Sequence, residues 1–300
     1  MGHEHSHSHG HNHTITSLNK AFIVGIVLNL VFVLVEFGAG FYFDSLALLS
    51  DAGHNLSDVV SLVLALLAFR LAKVKANSRY TYGYKKSTVL VSLLNAVILL
   101  VAVGGILVES INKLQHPEEV PGGAIAWVAG VGVVINAFTA FLFMKDKEKD
   151  LNVKGAYLHM AADTLVSVGV LVAGLIIRQT GWYIIDPIIG IIIAIVILIS
   201  TWDLLHDSIR LSLDGVSVGI DSEKVKELIS QIPGVKDIHH MHIWAISTTE
   251  NALTAHIVID NLNNMESLKH EIKHTLEHCD IHHATLEFES RKEHCDRACD

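Results

Sequence analysis

Long apolar stretches separated by short polar connections make up the first two thirds of the chain. Six stretches have the length of a membrane-spanning helix, which needs about 20 residues to cross roughly 30 Å of hydrocarbon. They are residues 20–42, 45–72, 86–113, 122–144, 152–178 and 183–208. The second and fifth also contain charged residues, which favours a position inside a bundle rather than against lipid. The pattern predicts a membrane α-helical domain of six transmembrane helices over residues 20–213, after a polar tail at residues 1–19.

The pattern changes after Leu213 to shorter elements of mixed type. A helix is predicted over residues 221–232, with Asp221 as its N-cap and Pro233-Gly234 as its stop. Strands are predicted over 239–247, 252–260 and 284–289, with a helix over 265–278 between the last two. The order αββαβ indicates a small α+β domain over residues 214–290, with its helices on one face of the sheet. Residues 291–300 form a C-terminal tail.

The composition agrees with a membrane protein. Apolar residues make up 51% of the chain and charged residues 18%, below the roughly 25% of soluble globular proteins. The formal net charge of −9 argues against nucleic acid as a partner, because phosphate recognition requires a basic surface. The three Cys lie after residue 278 and form no disulfide framework. No signal peptide is expected from the polar, His-rich start.

Lys and Arg near the ends of the spans indicate an orientation in the membrane. The loops after the second and fourth stretches hold ten of them, and the opposite side holds only Lys113 and Arg178. Positively charged loops stay on the cytoplasmic side. We therefore expect an inner (plasma) membrane protein with both termini in the cytoplasm.

Two matching pairs of polar residues occur within the predicted spans. His54 and Asp58 lie in the second span, and His159 and Asp163 lie in the fifth. The spacing of four residues places each pair on one helix face. An Asp at the bilayer centre costs about 2.5–3.5 kcal/mol, and four N and O ligands suit a tetrahedral Zn²⁺. The alternative is two helix-packing hydrogen bonds that share a spacing.

Four motifs carry a resemblance to a known family. They are SLALLSDAGHNLSD at 45–58, HMAAD at 159–163, DPIIG at 186–190 and HMHIW at 240–244. Together they resemble the cation diffusion facilitators (CDF), most closely the zinc-transporting, CzcD/ZitB-like branch. The resemblance implies a homodimer of six-span protomers with cytoplasmic ferredoxin-like domains, which exchanges a divalent metal for protons.

The resemblance also implies specific ligands. The transport site maps onto His54, Asp58, His159 and Asp163. Manganese-type members resemble DxxxD in both helices, so the two His here favour Zn²⁺ with Cd²⁺ as a second substrate, since imidazole suits zinc. In the cytoplasmic domain, His239, His256, Glu287 and Glu289 align with metal-bearing positions. The alternative there is an acidic, His-rich surface that binds metal weakly.

Further His and Cys residues have more than one possible role. His294, Cys295 and Cys299 near the C-terminus offer zinc-binding chemistry or belong to a tail without a metal. His270, His274 and His278 recur on one helix face, where we favour ordinary surface residues. Six alternating His at residues 3–13 favour a metal-concentrating tail. Four polar residues in the spans favour hydrogen bonds between helices: Asn29, Glu36, Asn95 and Asn136.

These features predict a Zn²⁺/H⁺ antiporter that exports metal by alternating access and has no enzymatic activity. A membrane metalloenzyme would need three ligands, an open water position and a general base. The two HExxH sequences of the chain, at residues 3–7 and 270–274, lie outside the predicted spans. A third hypothesis is a metal sensor or storage protein that binds metal but does not transport it.

Overall fold

The computed structural model describes residues 11–42, 46–115, 122–180, 182 and 184–290. The chain divides into two compact units, which we describe separately. The helical unit comprises Met1–Arg70 and Leu94–Leu204, and the mixed unit comprises Leu71–Leu93 and Leu205–Asp300.

Six long helices follow one another along the chain. They are α1 His11–Tyr42, α2 Leu46–Ala72, α3 Ser87–Gln115, α4 Gly122–Met144, α5 Leu151–Thr180 and α6 Ile185–Ser212. Their bounds follow the predicted stretches closely, except that α1 begins at His11 rather than at residue 20. Residues 11–19 contain neither Pro nor Gly, so no strong stop signal separates them from the apolar part of the helix.

Three helical stretches of the described residues are long and apolar enough to cross a membrane. They are Lys20–Ala39, Ser87–Gln115 and Ala126–Met144. Large apolar side chains on these helices face outward, among them Val101, Val134 and Phe141. An apolar outer surface of this extent is typical of a protein that contacts lipid.

Helix α5 is packed on two sides within the helical unit. Its Met160 belongs to a buried cluster with Phe22 of α1, Leu62 of α2 and Phe143 of α4. Two residues further along, Ala162 belongs to a second cluster, together with Val103 of α3 and Ala194 and Ile197 of α6. Residues of α5 between these two faces are therefore enclosed by neighbouring helices.

Glycines allow close contact between α1 and α4. A Cβ added at Gly25 would lie 2.9 Å from Thr139 Cγ2, and one at Gly132 would lie 2.9 Å from Phe32 Cζ. Small residues at helix contacts let the backbones approach closely, as is common in membrane bundles.

The mixed unit contains the αββαβ order expected from the sequence. Its elements are α7 Ser222–Ser230, β1 Val235–Ala245, β2 Asn251–Ile259, a short 3-10 turn at Leu262–Asn264, α8 Met265–Glu277 and β3 Ile281–Glu289. The Asp221 carboxylate accepts hydrogen bonds from the backbone N–H groups of Glu223 and Lys224, so it caps α7 as expected.

The three strands form one sheet in the order β1-β2-β3. Strands β1 and β2 are antiparallel, whereas β2 and β3 are parallel and are connected through α8. The buried core between sheet and helices includes Ile229 of α7, Leu253 and Ile257 of β2, and Ile272 and Leu276 of α8. The central strand β2 is thereby fixed on both edges and on one face.

Two adjacent lysines just before α3 bind other parts of the mixed unit. Lys86 Nζ donates to the backbone oxygens of Leu211 at 2.8 Å and Ala245 at 3.0 Å, and to Asp214 Oδ1 at 2.6 Å. Lys85 Nζ lies 2.5 Å from Glu250 Oε2. Lys86 thus connects the end of α6 to the end of β1.

Candidate metal centres

Three of the four predicted transport-site residues come together between α2 and α5. One ligand atom from each of Asp58, His159 and Asp163 lies within 4.8 Å of the other two. His159 and Asp163 are one turn apart on α5, and Asp58 reaches them from α2. The side chain of His54, the fourth predicted ligand, lies outside the described part of the structure.

The histidine ring connects the two carboxylates. His159 Nε2 is 2.5 Å from Asp58 Oδ1, a hydrogen bond whose direction depends on the ring tautomer. The same nitrogen is 3.9 Å from Asp163 Oδ2. The ring nitrogen is therefore shared between a short bond across helices and a longer contact along α5.

The three side chains are nearly withdrawn from solvent. Asp58 is 2% exposed, His159 4% and Asp163 8%. Within the described residues, Asp58 Oδ2 has no hydrogen-bond partner. A buried carboxylate oxygen without a partner loses its hydration at a cost of kilocalories per mole. A cation bound at this point would remove that cost.

The arrangement is close to what a tetrahedral ion requires. Ligands about 2.0–2.2 Å from zinc lie roughly 3.4 Å from one another. The His159–Asp58 contact of 2.5 Å must lengthen on metal binding, and the His159–Asp163 contact of 3.9 Å must shorten. Small rotations of these side chains would make both changes, so the three residues could hold a zinc ion.

Hydrogen bonds between helices join α1 to α2, which carries Asp58, and to α4. Asn55, next to His54 on α2, donates to Glu36 Oε2 of α1 at 2.6 Å. Asn29 of α1 donates to Thr139 of α4 at 3.4 Å. The expected role of Asn29 and Glu36 is thus confirmed, whereas the side-chain oxygens of Asn95 and Asn136 make no hydrogen bond within the described residues.

A second cluster lies on the sheet of the mixed unit. His256 Nδ1 is 2.6 Å from Glu289 Oε1, and His239 Nε2 is 3.6 Å from Glu289 Oε2. Within the described residues, neither ring nitrogen of His239 makes a hydrogen bond. His239 and His256 face each other across β1 and β2, and Glu289 comes from β3. All three strands therefore contribute one ligand, and two imidazoles with a carboxylate fit a zinc ion.

Glu287, the fourth predicted ligand here, has a more peripheral position. Its Oε2 is 3.5 Å from His256 Nε2, but its side chain is 70% exposed. Strand β1 is irregular between His239 and His242, and His240 within this bulge has a φ of 50°. The bulge brings the His240 ring to 5.4 Å from that of His256, measured between centroids. His240 is not among the ligands predicted from the sequence, because period-two alternation does not reveal a bulge.

The remaining candidates are more dispersed. The rings of His274, in the last turn of α8, and His278, which follows its end, are 4.8 Å apart. The other candidates lie outside the described residues: His294, Cys295, Cys299 and the alternating His of the N-terminal tail before His11. Ser61, which lies on α2 three residues after Asp58, was not a predicted site residue but lines a small cavity together with His159.

Comparison with known families supports the reading of both units. Residues 22–211 match the family described as the cation efflux transmembrane domain. Residues 218–291 match the family described as the cation efflux protein, cytoplasmic domain. The two matches together cover both parts of the chain that carry the clusters.

Several relatives are similar to this chain over most of their length. A protein of Bacillus subtilis (strain 168), named cadmium, cobalt and zinc/H(+)-K(+) antiporter, is 36% identical over 99% of this chain and 95% of its own length. The zinc transporter ZitB of Escherichia coli (strain K12) is 37% identical over 86% of this chain and 83% of its own. The metal cation efflux system protein CzcD of Cupriavidus metallidurans is 37% identical over 89% and 85%.

Proposed function

Because the chain belongs to the cation efflux family, whose members move metal cations across membranes, we propose that it exports Zn²⁺, and also Cd²⁺, in exchange for protons. The main support for this proposal is the buried cluster of Asp58, His159 and Asp163, whose ligand atoms lie within 4.8 Å of one another. Two carboxylates and an imidazole with almost no solvent exposure need a cation partner. The names of the relatives, which refer to zinc, cadmium and cobalt, support the choice of metal.

The cluster suggests how metal and proton exchange. The atom of His159 that would bind zinc, Nε2, is the one that contacts Asp58 Oδ1 at 2.5 Å. Metal binding requires a deprotonated ring nitrogen, so zinc and a proton compete for the same atom. His is suited to this role, because its ordinary pKa of about 6.5 is near ambient pH. Alternating exposure of the site to the two sides would turn this competition into antiport.

The proposed arrangement in the membrane follows the distribution of positive charge. All six long helices span the membrane, with the basic loops and both termini in the cytoplasm and with the plasma membrane as location. The mixed unit is the cytoplasmic domain, with a ferredoxin-like fold. The match of residues 218–291 to the family's cytoplasmic domain supports this assignment and a homodimer.

We also propose a regulatory zinc ion in the cytoplasmic domain. His239, His256 and Glu289 would bind it, each from a different strand, so the ion would join the sheet across all three. Glu287 would complete the set by rotation of its exposed side chain. This site would respond to the zinc concentration in the cytoplasm.

Zinc transport by variant proteins in liposomes tests the transport site. We expect Asp163→Ala to abolish zinc flux, because it removes one of the charged ligands from a buried site. The matched control is Asp203→Ala, which removes a carboxylate from the exposed face of α6 and should leave flux near the wild-type rate. Near-normal flux in Asp163→Ala would contradict the assignment.

A further inference from the structure

A small cavity lies beside His159 in the helical unit. Its volume is about 10 Å³, and Ser61 of α2, Asn95 of α3 and Ala156 of α5 line it together with His159. A single water molecule needs a cavity of at least roughly 10–15 Å³ and two or more polar partners. The cavity therefore has room for about one water molecule.

Two buried polar atoms belong to residues that line this cavity. Ser61 Oγ and Asn95 Oδ1 have no hydrogen-bond partner among the described residues. The residues are 6% and 5% exposed, respectively. Leaving a buried polar oxygen unsatisfied is costly, and alanine or leucine at these positions would avoid the cost. Their polarity needs an explanation other than packing.

The cavity lies on one defined side of the metal ligands. Ser61 follows Asp58 by one turn toward the end of α2 at Ala72, and Ala156 precedes His159 by one turn toward the start of α5 at Leu151. These helix ends adjoin the Lys- and Arg-rich loops. In the proposed orientation the cavity is therefore on the cytoplasmic side of the site, from which an exporter takes up its ion.

A hydrated zinc ion entering from that side must exchange water for protein ligands. Oxygen atoms that replace hydration water one at a time lower the cost of this step, as ion filters do. Asn95 Oδ1 and Ser61 Oγ are neutral oxygens, which suits a transient contact better than tight binding. His159 is part of the lining of the same cavity, so the ion would reach its permanent ligands directly from there.

We propose that Ser61 and Asn95 form the cytoplasmic entry step of the transport site, where they hold water next to His159 and take over part of the hydration shell of the incoming zinc ion. This inference rests on the proposed transport function. Ser61 and Asn95 would affect the rate of ion entry and have little effect on the equilibrium affinity for zinc. That affinity would be determined by Asp58, His159 and Asp163.

The test compares a Ser61→Ala, Asn95→Leu double variant with wild type. Zinc flux into proteoliposomes gives the maximal rate, and titration calorimetry of the full-length protein in detergent gives the zinc affinity. Ser92→Ala is the matched control, because it removes a buried hydroxyl that does not line the cavity and that already has a partner in Ser208 at 2.8 Å. A second control is the single variant Ser61→Thr, which keeps both the hydroxyl at position 61 and the native Asn95.

We expect the maximal rate of the double variant to fall about fivefold or more while the dissociation constant changes less than about threefold. Ser92→Ala and Ser61→Thr should stay within about twofold of wild type. A smaller loss of rate, an equal loss in Ser92→Ala, or a parallel loss of affinity would overturn the inference. A wild-type protein that binds zinc but does not transport it would instead refute the proposed function, and with it the proposed entry step.

Discussion

Replacing Lys86 by Met removes three hydrogen bonds from one point of the mixed unit while keeping the length of the side chain. Two of its acceptors are the backbone oxygens of Leu211 and Ala245, at 2.8 and 3.0 Å, and the third is Asp214 Oδ1 at 2.6 Å. The ammonium group also lies at the C-terminal end of α6, where a positive charge is favourable. We expect this substitution to make local opening at the ends of α6 and β1 easier.

The size of the effect follows from the partners. A hydrogen bond to a charged group contributes about 1.5–3 kcal/mol when buried. The Lys86 side chain is 38% exposed and that of Asp214 69%, so the ion pair itself adds little to stability. Because of the same exposure, we take the contribution of each of the two hydrogen bonds to carbonyl oxygens as roughly half the buried value. A total of about 2 kcal/mol corresponds to an increase of roughly 30-fold in the opening constant.

Lys85 provides the matched control. It makes an ion pair with Glu250 at 2.5 Å, with side chains 33% and 40% exposed, and such pairs contribute at most about 1 kcal/mol. Amide hydrogen exchange read by mass spectrometry on peptides that cover residues 209–216 and 243–250 reports local opening. Unchanged exchange in Lys86→Met, or equal effects of Lys85→Met and Lys86→Met, would refute this reasoning.

Three further predictions concern metal binding. His54→Asp should weaken discrimination between Zn²⁺ and Mn²⁺ in competition transport assays, because a further carboxylate favours harder ions; an unchanged ranking would show that ligand identity does not determine selectivity. Zinc at a hundredfold excess over its dissociation constant should stabilise the mixed unit by about 2.7 kcal/mol, and calorimetric melting should lose this shift in a His256→Ala, Glu289→Ala variant but keep it in His274→Ala. Deleting residues 2–13 should raise the apparent KM for zinc more than it lowers the maximal flux, whereas a collapse of the maximal flux would assign the tail an obligatory role.

The sequence predicted the six long helices and the αββαβ order of elements in the mixed unit, because both depend on local patterns. The apolar stretches and the cap at Asp221 are read directly from neighbouring residues. The spacing of four also placed His159 and Asp163 on one face of α5, and the repeat of that spacing indicated Asp58 as a partner from another helix.

Contacts between segments that are distant in sequence could not be predicted from local sequence patterns. The basic residues of the loop between α2 and α3 were interpreted only as a signal of membrane orientation, whereas Lys86 binds the end of α6 and the end of β1. The β-bulge that turns His240 toward His256 interrupts the alternation on which strand prediction depends. The Ser61–Asn95 cavity involves three helices and has no signature in any one of them.

Zinc flux into sealed proteoliposomes, with and without a pH gradient, shows whether this protein exchanges zinc for protons. We expect an opposing proton gradient to drive zinc uptake and each zinc ion taken up to be accompanied by proton release. Both fluxes should disappear together in Asp58→Ala. Zinc flux that is unaffected by the gradient and releases no protons would contradict the claim that zinc and protons compete for His159.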